Sequence, residues 1–282
     1  MKLIRKLSKV TALLRGYRKK RKSIGLVPTM GDFHEGHLSL IRKTKKENDI
    51  VVASIFVNPA QFGPNEDYKK YPRDIKGDAQ KAMKVGCDIL FCPDAGSIYP
   101  KGFSTYVEVC DASDIMCGKS RPGHFRGVAT ICTKLFSIIT PDTAYFGQKD
   151  YQQAFIIKKM VRDLNIDINV KVLPIVRDRS GIALSSRNRY LTDLEMEDAK
   201  LLYKALKKAR DLIMHGEDSV SKVRLAMKSI LNKPNVCIDY IDIVCPDTLS
   251  KKRVVNSRVL VALAVKIGTT RLIDNILVNV KN

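Results

Sequence analysis

The sequence predicts an α/β fold, with a Rossmann-like parallel sheet in an N-terminal domain (residues 1–176) and a smaller α+β C-terminal domain (residues 177–282). Three observations predict it. Short apolar runs alternate with helical spacings as far as Val176, the pattern of βαβ units. DIVVASIFV (49–57) is continuously apolar and rich in β-branched residues, as a strand buried on both faces of a parallel sheet must be. Beyond Val176 the alternation stops, and two helical patterns are followed by three strands with no helix between them.

The elements follow in order. SIGLVPT (23–29) reads as a strand, and GHLSLIRKTKKEN (36–48) has helical spacing at Leu38, Ile41 and Arg42. After the 49–57 strand, DIKGDAQKAMKVG (74–86) is helical and stops at Gly86, a residue suited to a C-cap. CDILFCP (87–93) is a strand, HFRGVATICTKLFSII (124–139) a helix and TAYFG (143–147) a strand. DYQQAFIIKKMVRDLN (150–165) is then a helix and INVKVLPIV (168–176) a strand. In the second part Thr192–His215 and Ser219–Leu231 are helices, and residues 236–244, 258–267 and 269–278 are strands. The basic N-terminal segment MKLIRKLSKVTALLRGYRKKRK lacks a long apolar stretch and a small-residue cleavage site. It reads as a surface helix leading into the first strand rather than a secretory signal.

Lys and Arg exceed Asp and Glu by 21 charges, which favours anionic partners. Much of the excess is Lys on helix faces, as in KTKKEN (43–48) and YKALKKAR (203–210), where a solvated surface is the simpler reading. No RNA-binding motif or interleaved aromatic-basic patch appears, so nucleic acid is not expected as a partner. No stretch approaches the roughly 20 apolar residues of a membrane span. The seven cysteines include no CxxC pair, and several lie in apolar runs such as ATICTKLF (129–136). They read as reduced thiols of a cytoplasmic protein.

The first chemical constellation, PTMGDFHEGH (28–37), lies where the first strand meets the first helix. A helix N-terminus offers N–H groups and positive dipole charge to phosphate, and Gly31 and Gly36 let a nucleotide approach the backbone. His34 and His37, two of four histidines, are one turn apart and can donate to phosphate oxygens. A zinc protease would need HExxH, which is absent, and no third ligand accompanies the pair, so no metal ligands are assigned. In FVNPAQF (56–62), Asn58 and Gln61 follow a buried strand and can both donate to and accept from a hydroxy acid. In FGQKDYQQ (146–153), Lys149 can neutralise a transferring phosphoryl group, Asp150 can cap a helix, and Gln153 lies one turn on. LSSR (184–187) supplies two hydroxyls and a guanidinium suited to triphosphate oxygens.

HxGH is the signature (the HIGH motif) of the superfamily that holds nucleotidyltransferases and class I aminoacyl-tRNA synthetases. Together with FVNPAQF, RPGHFRGV (121–128), FGQKDYQQ and ALSSRNRYL (183–191), it closely resembles the pantothenate synthetase (pantoate–β-alanine ligase) family. The resemblance runs from about Gly25 to Leu191 and continues more weakly beyond; Asp32-Phe33 departs from the family's usual Ala-Leu. It implies ATP-dependent condensation of pantoate with β-alanine through a pantoyl adenylate, in a cytoplasmic homodimer. It implies ATP contacts at Met30, Gly31, Asp32, Phe33, His34, Glu35, Gly36, His37, Gly147, Gln148, Lys149, Asp150, Val176, Leu184, Ser185, Ser186 and Arg187. Of these His34, His37, Lys149, Ser185, Ser186 and Arg187 are the catalytic set, with His37 the foremost donor. Gln61 and Gln153 are implied to hold pantoate, Gln61 also touching β-alanine, with Asn58 beside them. Arg121 and His124 are implied to face the site. Asp78 matches an acidic position near the family's Mg²⁺ region, although the phosphates are expected to supply most of the ligands. A dinucleotide-forming nucleotidyltransferase should lack the FVNPAQF and GQKDYQQ pair, and an RNA-binding protein on this fold should not need all these groups together.

Overall fold

A computed structural model describes residues 1–64 and 66–280. The chain forms two compact units, Met1–Gln148 with Gln153–Pro174, and Lys149–Gln152 with Ile175–Asn282.

In the first unit the strands are β1 (Lys2–Ile4), β2 (Ile24–Thr29), β3 (Ile50–Ile55), β4 (Ile89–Phe91), β5 (Thr143–Gly147) and β6 (Asn169–Leu173). The helices are α1 (Leu7–Lys19), α2 (Glu35–Glu47), α3 (Ile75–Lys84), α4 (Ala95–Ile98), α5 (Cys117–Ser120), α6 (His124–Ile139) and α7 (Tyr151–Asp163). All six strands are parallel, in the order β1-β4-β3-β2-β5-β6. Every residue of β3 is buried, the consequence of its unbroken apolar run. Strand β1 is an addition to the sequence reading, which began with a helix. It is three residues long, too short for periodicity to register, and forms the sheet edge by pairing with β4.

The chain winds from β2 outward through β3 to β4, then returns to place β5 on the other side of β2. That reversal opens a crevice at the carboxyl ends of β2 and β5, where open α/β sheets take their ligands. α2 reaches this position because Gly25 lets it lie close to the sheet: a Cβ there would fall 2.3 Å from Thr44 Cγ2.

The second unit has α8 (Asp193–Met214), α9 (Val220–Leu231) and an antiparallel sheet β7 (Val236–Val244), β8 (Val259–Ile267) and β9 (Thr270–Val278) in sequential order. α8 starts at a capping box in which Thr192 and Glu195 satisfy each other's backbone N–H. Its apolar stripe, Leu202, Leu206, Ala209 and Ile213, packs with Val223 and Met227 of α9 and the inward face of β8. The α/β sheet followed by a smaller α+β unit is the architecture expected from the sequence. Among the described residues no helix is long and apolar enough to cross a membrane.

Candidate functional site

Two consecutive left-handed residues, Gly31 (φ +92°) and Asp32 (φ +54°), turn the chain sharply at the end of β2. Gly31 is suited to this conformation and Asp32 tolerates it better than most. Asp78, in the first turn of α3 and 1% exposed, holds the turn: its carboxylate accepts from Asp32 N at 2.7 Å and Phe33 N at 2.6 Å. Lys81 Nζ donates to Phe33 O at 2.8 Å, a second tie from the same helix. Burial pushes the Asp78 carboxyl above its ordinary value, against the pull of the two N–H bonds. With both oxygens committed to backbone, Asp78 shapes the loop and is not set out as a cation ligand. Among the described residues no three His, Cys, Asp or Glu groups converge to hold a metal ion.

His34 caps α2, its Nδ1 accepting from Gly36 N at 3.2 Å. An accepting Nδ1 fixes the neutral tautomer with the proton on Nε2, a donor. Gly36 makes room for the folded-back ring, since a Cβ would lie 2.8 Å from His34 Cε1. The His34 and His37 rings are 4.2 Å apart between centroids, so the pair shares one side of the helix start as the spacing predicts. Two neighbouring positions differ from the rest of the loop. The Phe33 ring is in the sheet core, and the exposed Glu35 carboxylate is ion-paired with Arg42. Glu35 is left with its backbone to offer a nucleotide, whereas the Phe33 N–H and carbonyl are already held by Asp78 and Lys81.

After β3, residues Pro59–Gln61 make one 3-10 turn in which Asn58 is 1% and Gln61 8% exposed. The Asn58 amide donates to Gln61 Oε1 (3.1 Å) and Gly127 O (3.0 Å), and accepts from Tyr99 Oη (2.7 Å) and Ala60 N (3.3 Å). Two donors and two lone pairs are all an amide has. All four are used within the protein, and through one of them Asn58 orients Gln61. Gln61 Nε2 also donates to Met30 Sδ at 3.1 Å, so these contacts use one donor and one acceptor of its amide. α6 comes this close because Gly127 has no side chain: a Cβ would be 2.2 Å from Ala60 O.

His124, at the start of α6, donates from Nδ1 to Gln61 O at 2.8 Å, which leaves Nε2 to accept from Arg121 Nη1 at 3.0 Å. Arg121 is held in turn by Glu66, at 2.7 and 2.6 Å. His124 is thus beside Gln61 through its backbone, and Arg121 is joined to Gln61 only by way of His124. Glu66 and Tyr99 were missed, because neither belongs to a motif with a recognisable spacing.

Gly147 ends β5, next to β2 in the sheet, and Gln153 is half-buried in the first turn of α7. Gln148–Asp150 form a 3-10 turn, with Lys149 Nζ 3.6 Å from Asp150 Oδ2.

In the second unit Val176 and Leu184 close a short hairpin, Leu184 N donating to Val176 O at 3.0 Å. Ser185 follows, its side chain accepting from Arg187 N at 3.3 Å to cap the 3-10 turn Ser186–Tyr190. Arg177 pairs with Asp274 of β9 at 2.5 and 2.9 Å and lies 4.0 Å from the centroid of the Tyr203 ring. Burial raises the Asp274 carboxyl, with Arg177 opposing.

None of the described cysteines is disulfide-bonded, and Cys87, Cys92, Cys117 and Cys132 are buried as the apolar runs suggest, whereas Cys110 and Cys237 are exposed. Burial pushes Cys87 and Cys92 to about 11 and Cys132 to about 12, so these thiols are not nucleophiles at neutral pH.

Comparison with known proteins converges with this geometry. Residues 2–277 match the family model for pantoate-beta-alanine ligase. The chain is 53% identical to the pantothenate synthetase of Caldicellulosiruptor saccharolyticus, over 99% of this chain and 100% of that protein. It is 50% identical to that of Acetivibrio thermocellus, with the same coverage. The crystal structure of pantothenate synthetase from Thermus thermophilus superposes with a TM-score of 0.93 at 41% identity, covering 98% of this chain and 99% of that one. The pantoate-beta-alanine ligase of Francisella tularensis, solved with beta-gamma ATP and beta-alanine, superposes with a TM-score of 0.81 at 38% identity, covering 98% and 97%. A phosphate-suited loop at the switch point of a parallel sheet, a buried amide pair beside it and full-length similarity at this level have one reading: the chain belongs to the pantoate–beta-alanine ligase family.

Proposed function

We propose that this chain condenses pantoate with β-alanine at the expense of ATP, through a pantoyl adenylate. The observation that carries the reading is the pairing of two differently built subsites on adjacent strand ends. The turn after β2 brings the start of α2, with the His34 and His37 imidazoles, to the strand ends, which suits phosphate, while the turn after β3 presents Gln61, which suits a hydroxy acid. The related Francisella enzyme, solved with beta-gamma ATP and beta-alanine, supports the choice of substrates.

In the first step a carboxylate oxygen of pantoate attacks the α-phosphorus of ATP. The bond from that phosphorus to the bridging oxygen breaks, and pyrophosphate leaves with the electron pair. His34 and His37 donate to the oxygens on which charge grows, Lys149 and Arg187 neutralise the triphosphate, and the Ser185 and Ser186 hydroxyls donate hydrogen bonds to it. Met30, Gly31, Asp32, Phe33, Gly36, Gly147, Gln148, Asp150, Val176 and Leu184 line ATP, and Glu35 does so through its backbone. Gln61 and Gln153 hold pantoate, and Asn58 holds Gln61. In the second step the β-alanine amine attacks the acyl carbon, AMP leaves, and the amine loses a proton. The gain comes from positioning and charge stabilisation, with no covalent enzyme intermediate. Mg²⁺ brought by ATP would be held mainly by the phosphates and would add charge stabilisation there. The homodimeric, cytoplasmic state follows from family resemblance; a monomer mass by light scattering at micromolar concentration would refute the dimer.

Product analysis tests the reading. With ATP, pantoate and labelled β-alanine, label should enter pantothenate, with one AMP and one pyrophosphate formed per amide bond. Formation of ADP and phosphate would point to an acyl phosphate instead and overturn the adenylate route.

A further inference from the structure

Lys149 follows β5 in the chain and belongs to the second unit, where it is fastened to β9. Asn275 Nδ2 donates to Lys149 O at 2.9 Å, and Tyr151 Oη, two residues on, donates to Pro246 O at 3.2 Å. The residue before Asn275 holds the hairpin that leads into LSSR: Asp274 takes both arms of Arg177, which also donates from Nη1 to Gly181 O at 3.0 Å. The two anchors are one piece, since Asn275 N donates to Asp274 Oδ1 at 2.8 Å and each residue is 3% exposed. Strand-to-strand pairing with β8 fixes both positions, Asp274 opposite Leu263 and Asn275 opposite Ala262. The hairpin is tight: Gly181 (φ +94°) would put a Cβ 2.4 Å from the Tyr203 ring.

We propose that Asn275, braced by Asp274, is a positioning residue for the ATP half of the reaction: it sets the Lys149 backbone and the LSSR hairpin in a single frame. The inference rests on the roles proposed above for Lys149 and LSSR. A carbonyl at the protein surface can take its hydrogen bond from water. A buried amide spent on this one, from the strand that also holds the LSSR hairpin, fixes where the Lys149 ammonium starts from. Ångström-scale errors in such placement cost up to about a hundredfold in rate.

The test is a double-mutant cycle read by pantoate-dependent pyrophosphate release. Asn275→Ala should lower kcat by roughly tenfold or more and leave the KM for pantoate unchanged, because Gln61 and Gln153 belong to the first unit. In a Lys149→Ala background it should add nothing further. Asn275→His, which can place an Nδ1–H near the lost donor, should recover part of the rate. Asn275→Leu, similar in shape and without a donor, replaces the Ala variant if that fails to fold, and should show the same loss. Multiplicative losses in the double variant, or wild-type kcat in folded Asn275→Ala or Asn275→Leu, would overturn the positioning role while the ligase reading stood. Wild-type turnover of Lys149→Ala itself would show that the assignment of Lys149 is what failed, and would take this inference with it.

Discussion

Replacing His37 with Ala is expected to lower turnover by about a hundred- to a thousandfold, the usual cost of losing one donor to a developing oxyanion. His37 lies in the first turn of α2, and its ring is 4.2 Å from that of His34. In the proposed mechanism the two imidazoles serve neighbouring phosphate oxygens, and the second does not take over the position of the first. The loss should fall mainly on kcat, because the bond that matters strengthens as pyrophosphate leaves. Thermal unfolding should change little, since His37 is only half-buried and the loop is held by Asp78 and Lys81 instead. Near-wild-type kcat in a folded His37→Ala protein would remove the residue from the mechanism.

Gln61→Ala should weaken pantoate binding by one to two orders of magnitude, about 1.4–2.8 kcal/mol, and leave ATP binding close to wild type. The separation is structural. The Gln61 amide is oriented by Asn58 and Met30 Sδ, whereas the phosphate-suited loop is shaped by Asp78. Asn58→Ala should cost more stability than Gln61→Ala, because it strands the Tyr99 hydroxyl and the Gly127 carbonyl as well as Gln61. Titration calorimetry with each ligand separately checks the first, and thermal unfolding of the two variants checks the second. Loss of ATP affinity with pantoate affinity kept would reverse the assignment of Gln61.

The sheet and the helices around it were legible because they obey local rules. A six-residue strand with every side chain buried shows as an unbroken apolar run, and an amphipathic helix such as α8 shows as a stripe. The loops that carry the chemistry were legible for another reason: histidine, glycine, lysine and Ser-Ser-Arg stand out where strands end. What sequence did not show is which of these residues touch a ligand and which hold the ones that do. Asn58 reads as a binding amide until Gly127, 69 residues away, claims its second N–H. Asp78 reads as an acidic residue near a metal until the backbone of Asp32 and Phe33, more than forty residues earlier, occupies its oxygens. Asn275 sits in an unremarked strand and meets Lys149 across 126 residues. Such partnerships are set by tertiary packing, and no periodicity or local spacing encodes them. Strand β1 escaped notice for the opposite reason, being too short for any periodicity to develop.

Formation of an enzyme-bound pantoyl adenylate is the step on which the proposed roles of His34, His37, Lys149 and Arg187 depend, and rapid-quench measurement of pyrophosphate with β-alanine withheld addresses it most directly. ATP and pantoate alone should give a burst of pyrophosphate that levels off near one equivalent per active site, and β-alanine added afterwards should restart continuous release with matching AMP. Absence of any burst until β-alanine is present would contradict the stepwise adenylate route.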